Sequence, residues 1–113
     1  MPARNALLKA PPHPVEKALR TLGANLRTAR LRRGLSLEEI AEKIGTGRRA
    51  VADAEKGKPS TAVAVYVALL WALGLLEHMD EVADPAADEV GSRLALAKEK
   101  KRASRPRGLS NDF

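Results

Sequence analysis

Two consecutive arginines, Arg48 and Arg49, open a stretch in which Ala50, Val51 and Ala54 recur at helical spacing. On a helical wheel those three share one face, and Arg48, Arg49, Ala52, Asp53 and Lys56 fall on the other. A guanidinium group offers five N–H donors in a planar fork, which fits the O6/N7 edge of guanine or a pair of phosphate oxygens. Arginines in a first helical turn also meet the positive end of the helix dipole, at a cost of about 0.3–1 kcal/mol each unless an anion compensates. The pattern points to recognition of an acceptor-rich or anionic partner rather than to bond making and breaking.

Candidates for catalysis are few. The two histidines, His13 and His78, stand 65 residues apart, one among prolines and one in an acidic stretch, a spacing that suits neither a metal site nor an acid–base pair. With no cysteine there is no thiolate nucleophile, disulfide framework or Cys-based zinc site. Glu38, Glu39 and Glu42 are accounted for by capping, dipole and surface pairing. No glycine-rich phosphate loop and no nucleophile motif is present. The expectation is a protein that is not an enzyme and needs no cofactor and no metal.

The 113 residues carry 20 Lys+Arg and 14 Asp+Glu, a net charge of +6. The distribution is uneven: residues 1–60 hold 13 cations and 6 anions, residues 61–90 none and 6, and residues 91–113 seven and 2. Basic segments concentrate polyanions through Coulomb attraction and counterion release, so nucleic acid or an anionic membrane surface is the first partner class. Hydrophobic residues make up 44% of the chain, enough for one compact core, but Tyr66, Trp71 and Phe113 are its only aromatics, so aliphatic packing must carry it. Ala6-Leu7-Leu8 is too short an apolar run for a secretory signal, and a cytoplasmic protein is expected.

The elements that must position the arginines follow from periodicity and punctuation. Pro2, Pro11, Pro12 and Pro14 mark residues 1–14 as a flexible arm without a packed element. Val15, Ala18, Leu19, Leu22, Leu26 and Ala29 recur at three- and four-residue steps, predicting a helix over 15–33 that Gly34 stops. Ser36 and Glu39 form a capping box that starts a second helix at Leu37, and Gly45 ends it. A third helix runs from Arg48 to Lys56, closed by Gly57 and Pro59. With Ala41 small at the crossing, and Ile40, Ile44, Val51 and Ala54 filling the wedge, the second and third helices have helix-turn-helix spacing.

Residues 59–76 carry no charge, but a membrane span needs about 20 apolar residues, and Pro59 and Gly74 punctuate the run. Val63, Val65 and Val67 would also suit a strand; Ala68 to Leu73 are strong helix formers, so a helix capped by Ser60 or Thr61 is expected. Because it is apolar on every side, a second copy of the chain is the expected cover for its outer face, with Val65, Leu69, Trp71 and Leu73 as interface residues. Asp84-Pro85 then starts a last helix over 84–102, with Val90, Leu94 and Ala97 on one stripe, and residues 103–113 are expected to be a disordered basic tail. The central domain spans 15–83.

Leu26-Arg27-x-x-Arg30, Gly34-Leu35-Ser36, Glu38-Glu39-Ile40-Ala41, Gly45 and Glu55-Lys56-Gly57 resemble the Cro/C1-type (XRE) helix-turn-helix family of bacterial and phage repressors over residues 22–76. The resemblance implies an all-α, lambda-repressor-like five-helix domain that binds double-stranded operator DNA as a homodimer on an inverted repeat. It places Arg48, Arg49, Ala52 and Asp53 on the base-reading face, Ser36 and Lys58 at phosphate contacts, and Arg30 with Glu55 as a structural pair. The chain departs from the family pattern at Leu37, where a DNA-contacting glutamine is usual, and at Gly47, where a capping serine is usual. More narrowly, Arg48 to Thr61, Leu69 to Leu75 and Asp84-Pro85 with the basic tail are similar to HipB-type antitoxins. That similarity implies autoregulation and a HipA-like kinase partner, with Phe113 as a candidate anchor. The competing expectations are a protein-interaction subunit with vestigial DNA binding and a membrane-surface protein using residues 59–76.

Overall fold

A 20-residue helix, α2 (His13–Arg32), is the longest element among the described residues. Its buried positions, Gly23, Leu26, Ala29 and Arg30, follow three- and four-residue steps. The computed structural model describes residues 5–104 and divides into one unit through Met79 and a second from Asp80.

In the first unit, α3 (Leu37–Ile44), α4 (Arg48–Glu55) and α5 (Val63–Ala72) follow α2. The core is aliphatic: Leu26, Ala29, Ile40, Ala41, Val51, Ala54, Leu69 and Leu73 are buried, with Tyr66 the one aromatic among them. It draws on all four helices, and α4 packs against α2, α3 and α5. A 3-10 segment, Leu76–Glu81, follows α5.

In the first unit three features differ from expectation. The proline arm contains one turn of helix, α1 (Ala6–Lys9), in which the Asn5 side chain accepts from the Leu7 amide at 3.2 Å. The next helix begins at His13 rather than Val15, because Pro14 lies in its first turn, where a missing N–H removes no helical bond. Neither Ser60 nor Thr61 caps α5: a turn from the Thr61 amide to the Lys58 carbonyl, 3.1 Å, delays the helix, and Ala62 is its N-cap with no side-chain bond.

In the second unit the Asp84 carboxylate does cap, accepting from the Ala86 amide at 2.9 Å, but the element it starts is a 3-10 turn, Pro85–Ala87. The last helix, α6 (Glu89–Ser104), begins where Asp88 accepts from the Gly91 amide at 2.9 Å, five residues after the expected start. It continues beyond Arg102 to Ser104; the remainder of the expected tail, including Phe113, lies outside the described residues. Among the described residues there is no strand, no cluster of metal-ligating side chains, and no helix long and apolar enough to cross a membrane.

Candidate nucleic-acid interface

The site begins with the local chemistry of α3. The Ser36 hydroxyl accepts from the Glu39 amide at 3.0 Å, and the Glu39 carboxylate accepts from the Ser36 amide at 2.8 Å, so both halves of the capping box are formed. The Ser36 backbone amide first, and the Ser36 hydroxyl second, hydrogen-bond the Glu39 carboxylate and hold its carboxyl below the usual carboxylate range. At the other end Gly45 takes φ 82°, and the Ala41 carbonyl accepts from both the Gly45 and Thr46 amides. The chain then passes through Thr46 and Gly47 into α4, whose N-cap, Gly47, supplies no side-chain bond.

The inner face of α4 is fixed by packing. Val51 and Ala54 are both 0% exposed and join Ile40 and Ala41 of α3 in the core. Its C-terminal end is locked by charge. Arg30 of α2 donates from Nε and Nη2 to the two carboxylate oxygens of Glu55, at 2.6 and 3.0 Å, and from Nη1 to the Leu35 carbonyl at 2.8 Å. Both side chains are less than a tenth exposed, and the Glu55 hydrogen bonds raise the Arg30 pKa beyond the usual arginine range. One guanidinium thus ties α2, the approach to α3 and the end of α4.

Backbones also touch here. A Cβ on Gly23 would lie 2.6 Å from the carbonyl oxygens of Ala54 and Glu55, so only glycine lets α2 approach α4 this closely. Gly57, at φ 71°, meets the backbone of Leu19 and Arg20 in the same way. The Tyr66 hydroxyl donates to the Lys58 carbonyl at 2.9 Å, holding the segment after α4, and burial pushes the Tyr66 hydroxyl pKa up.

On this frame the first turn of α4 projects outward. Arg48, Arg49, Lys56 and Lys58 are exposed, whereas Ala52 and Asp53 are half-buried. Arg48 lies 3.5 Å from the Glu38 carboxylate of α3, and Lys58 lies 3.6 Å from that of Asp53. Asp53 is therefore engaged within the chain at one edge of the face. Ser36 is exposed, with its hydroxyl used by the capping box. The partner of Arg48 was not evident from sequence, because Glu38 and Arg48 sit in the first turns of two different helices.

The expected dimer residues divide. Leu69 and Leu73 are buried in the chain's own core, which removes them as contacts for a second chain, and Val65 is half-buried against that core. Trp71 is 54% exposed and Val63 71% exposed. With Val67 they form a stripe at four-residue steps, opposite the buried Tyr66, Leu69 and Leu73. The stripe was hidden in the sequence because an all-apolar helix has no polar side to mark its outer face.

Residues 21–82 match a protein family described as a helix-turn-helix domain. The match concerns the helix-turn-helix domain as such and carries nothing specific to HipB-type antitoxins. No curated protein and no solved structure matches the chain. The matched residues cover more than half of the sequence and contain the capped α3, the glycine turn, the wedged α4 and the Arg30–Glu55 lock. An all-α chain with these parts in this order belongs to the helix-turn-helix domain family.

Proposed function

We propose that the protein is a sequence-specific, DNA-binding transcriptional repressor that acts as a homodimer. The observation that carries this reading is the first turn of α4: two exposed arginines on a helix whose other side buries Val51 and Ala54 completely and whose end is locked by Glu55. A short helix held this firmly can enter the major groove as a unit, with Arg48 forking onto guanine O6/N7 and Arg49, Lys56 and Lys58 supplying positive charge alongside. Leu37 and Gly47 offer neither the amide side chain nor the hydroxyl that related readers use, so the guanidinium groups carry more of the recognition. Occupancy of the operator would exclude polymerase sterically.

Two copies related by a two-fold axis would address half-sites about 34–36 Å apart, in an inverted repeat. The seam assigned here is the Val63–Val67–Trp71 stripe of α5. Trp71 is the only tryptophan of the chain, so its fluorescence should shift to the blue on dimerisation, and Trp71→Glu should give monomers by analytical ultracentrifugation.

The reading is tested by selecting bound duplexes from a random pool with the full chain, followed by mobility shift at low salt. Enrichment of an inverted repeat is expected. Arg48→Ala should relax preference at one base position per half-site, at about 1–3 kcal/mol. Equal weakening on all sequences would move Arg48 to a phosphate contact. Absence of any shifted species would overturn DNA binding and favour a protein-interaction subunit.

A further inference from the structure

We infer that Glu38 is a specificity-determining residue of the reading face: its carboxylate reserves Arg48 for the uncharged acceptor edge of guanine and disfavours its use on phosphate. The inference rests on the reading of α4 as the helix that enters the groove. Glu38 has no part in capping α3, since Glu39 closes that box. Its side chain is 73% exposed and its ion-pair partner is Arg48, 3.5 Å away and itself 63% exposed.

Arg48 is the first residue of α4, where the dipole opposes a cation and Gly47 provides no side chain. The Glu38 carboxylate relieves that opposition and places a negative charge on the surface that would face the duplex. Moving Arg48 onto a phosphate breaks the pair and leaves Glu38 uncompensated beside a polyanion. A guanine edge asks for neither. With Nη1 directed at Glu38, the remaining N–H donors of the guanidinium stay available to O6 and N7, which carry no formal charge. Arg48 can hold Glu38 and a base edge together, but not Glu38 and a phosphate without drawing like charges close. Among the described residues no carboxylate pairs with Arg49, so the restriction falls on one arginine of the two.

The test compares binding of the full chain to its most enriched duplex and to a scrambled duplex of the same composition, for wild type, Glu38→Gln, Arg48→Ala and the double variant. Glu38→Gln should bind the scrambled duplex about tenfold more tightly and the enriched duplex with a smaller change, lowering discrimination several-fold. Its salt dependence on the scrambled duplex should steepen by about 0.9 log unit per log salt, the signature of one more neutralised phosphate. In the Arg48→Ala background the same substitution should leave discrimination unchanged. Thermal unfolding of Glu38→Gln should fall only slightly below wild type, because an exposed ion pair is lost while the capping box is intact.

Unchanged discrimination in Glu38→Gln overturns the inference while leaving DNA reading by α4 in place. An equal effect with and without Arg48 also overturns it, since diffuse repulsion would then suffice. A wild-type chain that enriches no sequence overturns both readings.

Discussion

Helices α4 and α6 both carry clustered cations, and they differ in everything that would let a cation be aimed. The eight residues of α4 include two side chains with no exposure and one end held by a bidentate ion pair. The sixteen residues of α6 include Lys98, Lys100 and Arg102, yet Val90, Leu94 and Leu96 are exposed and no residue of that helix is buried among those described. Basic character alone attracts phosphate without choosing a sequence; position on a rigid frame is what permits choice. The shorter helix is the better instrument because its neighbours hold it.

The contrast can be broken first at the lock. Arg30→Ala leaves the Glu55 carboxylate nearly buried and unpaired and should destabilise the first unit by about 3–5 kcal/mol in urea unfolding. Arg93→Ala in α6 removes an exposed i,i+4 pair with Glu89 at 3.9 Å and should change stability by less than about 0.5 kcal/mol. Similar losses from the two substitutions would mean that α4 is no better anchored than α6.

Next comes the close approach at the end of α4. Gly57→Ala places a side chain at φ 71° and against the Leu19 backbone, so a loss above about 1–2 kcal/mol is expected from the conformation alone. The smallest effect lies in the cap of α3. The folded-state pKa of Glu39 is depressed, so its contribution is present above the unfolded carboxylate pKa and is lost as pH falls through the folded value. Glu39→Gln should therefore flatten the acid limb of stability against pH, measured by thermal unfolding from neutral to acidic pH, with its small loss greatest at neutral pH and vanishing in acid.

How far the sequence carried these conclusions depended on whether a feature was local. The bounds of α3 were legible because Ser36, Glu39 and Gly45 act within one helix. The wedge of Ile40, Ile44, Val51 and Ala54 around Ala41 was legible because small and branched apolar residues recur at helical steps; all of them are buried but Ile44, which is half-buried against the core. The start of α2 was misplaced because prolines read as an arm, whereas Pro14 sits where a helix tolerates it. Helix α5 was found, but its buried and exposed sides were not, since every residue in it is apolar. The Glu38–Arg48 contact joins two helices across the turn and needed coordinates.

The central claim is that the start of α4, and not the longer basic helix, meets the bases. Amide chemical-shift mapping of the full chain, titrated with its most enriched duplex, tests it directly. Large shifts confined to the α3–α4 turn and the first turn of α4, with only weak salt-sensitive shifts in α6, are the predicted result. Perturbation centred on α6 with the amides of Arg48 and Arg49 unmoved would contradict the account.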